Sequence, residues 1–400
     1  MERELIPVLL GADLNCYNVA RAFHEQYNVI SYAFGRYPIG VTEHSRIIRF
    51  TMVEKLDDPD VLVETLTGFA EKHQNADLLL MGCTDEYVSM IIREKDRLPR
   101  FIIPYIDRCL MEDITLKEHF YGYCERMDMP YPKTVIYKKG DELLLPFDYP
   151  IIIKPSSSVL YWKYPFEGMK KVYRATDREE AMRIINEIYA SGYPDKLIVQ
   201  DMIPGDDSGM YTMTAYCGTD HKVHMMCLGH VLLEEHTPKG LGNHAAIITA
   251  SNPALAETLK HFLEEIGYVG YANFDIKYDP RDGRMKLFEI NVRQGRSNYY
   301  VTAAGCNIAF YVTEDWVYHR LPDDCYICDR EIYWRYIPDS IVYTYSRPEI
   351  STLVKKLIRE KKAYSSMRYA FDLKFNPRRQ AFVWLHERRH IDKYKKYYKV

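Results

Sequence analysis

The sequence predicts an α/β protein: a mainly parallel N-terminal sheet, then an α+β portion, then a basic C-terminal extension. Three observations predict it. Over the first 110 of 400 residues, short apolar runs alternate with helix-period segments, the rhythm of βαβ units. From Thr115 longer strands and a hairpin replace that rhythm. Residues 351–400 then hold 15 Lys/Arg against 4 Asp/Glu, so the end carries +11 while the first 350 residues carry −14. The boundaries expected from these changes of texture are 1–112, 113–330 and 331–400.

Each element has a local reason. IPVLLG (6–11), NVISYAF (28–34) and ADLLLMG (76–82) are continuous apolar runs suited to buried strands, and residues 16–26, 60–72 and 86–95 carry helical periodicity between them. The turns at 11–15 and 82–87 lie where open α/β sheets bind ligands. Neither contains GxGxxG, which speaks against a dinucleotide, and a plain N-cap is the alternative for Asp13 or Asn15. Next come a helix at 117–127, the turn MPYPK, a strand to Tyr137, the strand YPIIIKP and an amphipathic helix at 177–189. The strand KLIVQDMI, long strands at 211–216 and 222–233, a helix at 253–266 and the hairpin GYANFDIKYDPRDGRMKLFEINV complete the middle portion.

Composition excludes several classes. With 47% hydrophobic and 27% charged residues the chain is long enough for several cores and is neither a disulfide miniprotein nor a disordered chain. Nine cysteines stand mostly alone, and the one CxxC, Cys325 and Cys328, lacks the second ligand pair of a zinc site. No apolar run reaches the roughly 20 residues of a membrane span, and MERELIPVLLGAD does not read as a signal peptide, so a cytoplasmic protein is expected. The basic end fits either a surface for anionic partners or a solvated helical face.

Chemistry concentrates in the hairpin. Asn273, Asp275 and Lys277 alternate with Ala272, Phe274 and Ile276, and Glu289, Asn291 and Arg293 alternate with Phe288, Ile290 and Val292. If the apolar faces share one core, the polar faces coincide, bringing Asp275 near Glu289 and Asn291. Two carboxylates and an amide oxygen suit Mg²⁺, which completes its shell with phosphate and water. Upstream, Lys154 ends an apolar strand, an awkward place for a charge unless it faces an anion.

The order Lys117, Lys154, LIVQDMIPGDD, FDIKYD, FEINVRQGR resembles the ATP-grasp superfamily of carboxylate–amine ligases over about 115–318, with a Rossmann-like pre-ATP-grasp domain in front. The strings PVLLGADLNCYNVARAFHE, PYPKT, MIPGDDS, MMCLGH, NFDIKYDPRDG and LFEINVRQGRS bring it closer to the bacterial D-aspartate ligases. The resemblance implies that Lys117 and Lys154 touch the phosphates of ATP. It implies a hinge near 197–207 in which Gln200, Asp201 and Ile203 meet adenine, partly through backbone, with Asp207 at the ribose. Asp275, Glu289 and Asn291 become the Mg²⁺ ligands, and Arg293 and Arg296 the catalytic anion contacts. Lys170 and Lys171 stand in for the glycine-rich phosphate-covering loop of many members, since the segment after Lys154 holds a single glycine, Gly168. Lys239 and His244 fall in the stretch that often serves the substrate, although a lone histidine is more often structural.

The implied reaction activates the β-carboxylate of D-aspartate as an acyl phosphate and joins it to the lysine ε-amine of a UDP-linked peptidoglycan pentapeptide. ATP and Mg²⁺ serve it, and no nucleic acid is expected as a partner. Two alternatives remain: an ATP-grasp ligase for a different amino acid and amine, or a peripheral protein with a vestigial ATP site. In the latter the basic C-terminus is the working surface and contacts a membrane weakly.

Overall fold

A computed structural model describes residues 3–238 and 240–398, except the side chains of 158 and 159. The chain resolves into two compact units: one of residues 1–108, 210–273 and 291–400, the other of 109–209 and 274–290.

In the first unit, five parallel strands run in the order Ile48–Met52, Ser31–Gly35, Glu4–Leu10, Ala76–Gly82, Phe101–Ile102. Their connections are helices with clear start signals. Asp13 caps Leu14–Tyr27 by accepting from the Cys16 N–H, and Asp58 with Pro59 starts Pro59–Lys72. Thr84 caps Asp85–Arg93, whose first turn carries two acids at the positive helix end. Gly11, at φ 139°, makes the turn after the central strand; a Cβ there would stand 2.9 Å from that of Cys83.

Three further strands, Met210–Cys217, Val223–Glu234 and His244–Ala250, pair antiparallel in the same unit. The basic C-terminal stretch joins them: Tyr333–Arg335 pairs with His244–Ala250, and Ala363–Ser365 with Tyr333–Arg335. Tyr333, Trp334, Val342, Leu357 and Val383 enter the same core as Leu9, Phe23 and Met81. Arg379 is wholly buried, 3.3 Å from Asp372, and its Nη1 donates to the carbonyl of Val41 at 2.5 Å. Asp372 in turn accepts from Tyr17 Oη, Ser45 Oγ and the Arg46 N–H. Truncating this stretch would therefore expose a core.

The second unit holds a four-stranded antiparallel sheet in the order Thr134–Tyr137, Leu197–Asp201, Ile151–Pro155, Tyr173–Ala175. It packs on helix Arg178–Ala190 through Ile151, Ile153, Ile184, Ile188 and Val199. Strands Gly270–Asp279 and Arg284–Asn291 form the hairpin expected around DPRDG. Leu287 is buried, while Phe288, which strict alternation assigns to the apolar face, is half-buried and lies 5.3 Å from Lys154 Nζ.

Helix Pro377–Tyr397 buries His386 and His390 against Tyr336. Burial, then the neighbouring His390, pushes His386 down to about 3, and burial also lowers His390. His386 is neutral when folded but binds a proton near pH 6.5 when unfolded, so stability falls as pH drops below that value. The loss steepens to about 1.4 kcal/mol per pH unit near pH 5, where the unfolded imidazole is almost fully protonated. His386→Gln should reduce the acid slope of stability by about that much, as read from denaturant midpoints. An unchanged slope would contradict the assignment.

Candidate active site

In the second unit, three ammonium groups gather around two carboxylates. Lys117 opens helix Lys117–Arg126 and is only 8% exposed; its Nζ lies 3.0 Å from Glu289 Oε2. Lys154 ends the strand Ile151–Pro155. Burial, then Lys117, pushes its ammonium down to about 7, with Lys171 adding and Glu289 and Asp275 opposing. Glu289 is held well below the usual carboxylate range by Lys117 first, then Lys171 and Lys154, against its burial. Three lysine side chains thus meet two carboxylates, with Lys154 near discharge until an anion joins them, an arrangement suited to a polyphosphate. Around it, Glu118 fixes the helix start by pairing with Lys196 at 2.5 Å and accepting from the Ser156 hydroxyl. The other loop lysine, Lys170, is located through its N–H, which donates to Tyr173 Oη at 2.8 Å.

The segment expected as the hinge begins with strand Leu197–Asp201. The Gln200 amide is buried and donates to Tyr121 Oη and Thr134 Oγ1, both at 2.8 Å, so its side chain is a structural tie. Arg281 grips Asp201 through two nitrogens at 2.9 and 2.8 Å. The Ile203 carbonyl accepts from Lys277 Nζ at 3.0 Å, and Asp207 begins the short 3₁₀ turn that follows.

The donor set fits Mg²⁺. Asp275 and Glu289 are close enough that both act on Lys154, and Asn291 stands two residues beyond Glu289 on the same strand. The Asn291 amide nitrogen donates to the Asn273 carbonyl at 3.4 Å, which orients the group. Hard oxygen ligands are what this ion prefers. Among the described residues, no group of three or more His, Cys, Asp or Glu is arranged for a metal.

In the first unit, two arginines converge where the parallel strands end. Arg293 lies on Asp85 through Nε and Nη2 at 2.7 and 2.9 Å, and Nη1 donates to the Gln294 carbonyl. Arg296 is 3.1 Å from Glu235 and 4.0 Å from Asp13, with its guanidinium 5.1 Å over the Tyr336 ring. Burial raises the Asp13 carboxyl, opposed by Arg296 and Arg293. The segment between the arginines is bound to the sheet's edge. Gln294 Nε2 donates to the Gly82 carbonyl at 3.0 Å, Asn18 Nδ2 to the Arg296 carbonyl at 3.1 Å, and Asn298 Nδ2 to Asn15 Oδ1 at 2.6 Å. Three carboxylates and two guanidinium groups thus share the C-terminal ends of Glu4–Leu10 and Ala76–Gly82, the usual ligand face of such sheets.

Asp13 is therefore both an N-cap and an arginine neighbour. Sequence reasoning missed Asp85, Glu235 and Tyr336, whose partners lie far away in the chain; Arg293 and Asp85 are 208 residues apart. His244 opens its strand 3.9 Å from Glu234, and Lys239 lies outside the described residues.

No family model matches the chain. A D-aspartate ligase of Enterococcus faecium (strain Aus0004) is 40% identical over 414 aligned residues, covering 99% of this chain and 97% of that protein. Among solved structures, the L-amino acid ligase from Bacillus licheniformis superposes with a TM-score of 0.58 at 13% identity, covering 79% of this chain and 75% of that one. The biotin carboxylase domain of the Hydrogenobacter thermophilus 2-oxoglutarate carboxylase, solved with MgADP, gives 0.58 at 13% identity, covering 81% of this chain and 72% of that one. Those likenesses share the ATP-grasp fold, and the near-full-length relative gives the family: the chain belongs to the D-aspartate ligases, ATP-dependent ligases of ATP-grasp fold.

Proposed function

We propose that the protein activates the β-carboxylate of D-aspartate with ATP and joins it to the lysine ε-amine of a UDP-linked peptidoglycan pentapeptide in the cytoplasm. The observation that supports this reading best is the cluster of Lys117, Lys154 and Lys171 around Asp275 and Glu289, in a chain 40% identical to a D-aspartate ligase. Lys117 and Lys154 contact the phosphates, and Lys170 and Lys171 belong to the loop that covers them. Gln200, Asp201 and Ile203 meet the adenine side through backbone groups, with Asp207 at the ribose. Asp275, Glu289 and Asn291 hold Mg²⁺, which when bound neutralises charge on the phosphate oxygens.

The remaining chemistry needs no enzyme nucleophile, because the phosphorylated carboxylate is itself the activated species; positioning and charge stabilisation suffice. Arg293 and Arg296 meet the negative charge that develops at the acyl centre. Asp13 and Glu235, facing those arginines, supply negative charge for an amino group. His244 lies on the substrate side of this reading, and 1–112, 113–330 and 331–400 are its functional divisions.

The test is ADP release with ATP and Mg²⁺ over D-aspartate, L-aspartate and other amino acids, each with and without the UDP-pentapeptide. Release above background should require D-aspartate and the precursor together. Release with another pair instead would retain the ligase chemistry and refute the proposed substrates.

A further inference from the structure

We propose that the exposed side of the C-terminal helix docks the protein on an anionic lipid leaflet. Of the thirteen exposed large apolar side chains among the described residues, four fall within residues 371–385: Phe371, Phe375, Trp384 and Leu385. Phe375 is 87% exposed and precedes the N-cap Asn376 of helix Pro377–Tyr397. Its φ of 57° is a left-handed conformation that a bulky residue rarely adopts, so the backbone holds this ring outward at a conformational cost.

The same helix carries seven Lys/Arg and two Asp/Glu. Of these, Arg379 is buried on Asp372 and Glu387 is paired with Arg368 at 2.8 Å. On the exposed side Arg388 follows Trp384 by one turn, with its guanidinium 5.3 Å from the indole, and Arg378, Arg389, Lys395 and Lys396 extend the positive surface. Lys374 stands 5.3 Å from the Phe375 ring, and Arg46 4.8 Å from Phe371.

Exposed Trp, Phe and Leu interleaved with arginine and lysine match a headgroup region, where rings sit at the boundary and cations meet anionic lipid. Charge argues against a second copy of this chain as the occupant, since a two-fold contact through this side would oppose arginines to arginines. The fit is independent of the ligase reading, and none of these residues lies in the machinery assigned to it.

The experiment is co-sedimentation of the full chain with vesicles of phosphatidylglycerol and phosphatidylcholine, compared with pure phosphatidylcholine. Truncation would remove Val354 and Leu357 from the core, so point variants are used. Most of the protein should sediment with the anionic vesicles at low salt and little with the neutral ones. The Phe375→Ser/Trp384→Ser double variant and the Arg388→Glu/Arg389→Glu double variant should each lose at least tenfold in the lipid concentration needed, with melting temperature and ADP formation unchanged. No sedimentation with anionic vesicles overturns the proposal. So does undiminished binding by the Phe375/Trp384 variant, which would mean plain adsorption to polyanions, and so does equally tight binding to duplex DNA.

Discussion

Replacing Glu289 by glutamine is expected to lower ADP formation by about 10² to 10³, the usual scale for removing one preorganised charged contact. The substitution keeps the shape and removes the charge. Lys117, 3.0 Å away, then loses the carboxylate that neutralises it, and Lys154 loses one of the two groups that oppose its discharge. Both losses act on phosphate and Mg²⁺ binding, so the KM for ATP should rise while a cooperative melting transition persists. Glu289→Gln combined with Lys117→Gln should cost less than the sum of the single changes, because the two residues form one pair. Additive costs, or a glutamine variant with undiminished ADP formation, would remove Glu289 from the site.

Arg293→Ala should lower kcat by about 10² to 10³ with little change in the KM for ATP. The separation follows from what the residue touches. Arg293 lies on Asp85 through two nitrogens in the unit that carries Asp13 and Arg296, whereas the lysines proposed to meet phosphate belong to the other unit. Arg293→Lys should recover only a small part of the loss, since one ammonium cannot reproduce a planar two-point contact. Steady-state kinetics on both variants, with ATP and amino acid varied separately, checks this. A loss confined to the KM for ATP would place Arg293 among the nucleotide contacts instead.

Local patterns made much of this legible in the sequence. Apolar runs and caps mark the parallel sheet and its helices, and two-residue alternation sets Asp275 and Glu289 on one face of the hairpin, where both act on Lys154. Lys154 at the end of an apolar strand signalled a charge in need of a partner, and burial there pushes its ammonium down to about 7. Long-range placements were not legible. Periodicity cannot predict that Glu235 and Tyr336 would flank Arg296, or that Gln294 and Asn298 would tie their segment to the carbonyl of Gly82 and to Asn15. The packing of the C-terminal stretch was hidden for a related reason. Its charge dominates the composition, yet Trp334, Tyr333 and Leu357 are buried and even Arg379 turns inward, where Nη1 donates to the Val41 carbonyl and Nε lies 3.3 Å from Asp372.

Oxygen transfer tests the central claim most directly. If the carboxylate is phosphorylated before the amine attacks, one of its oxygens leaves with the phosphate. D-aspartate labelled with ¹⁸O in both β-carboxylate oxygens, incubated with ATP, Mg²⁺ and the UDP-pentapeptide, should yield ADP and inorganic phosphate carrying one ¹⁸O per amide formed. Unlabelled phosphate, or AMP and pyrophosphate in place of ADP, would contradict the account.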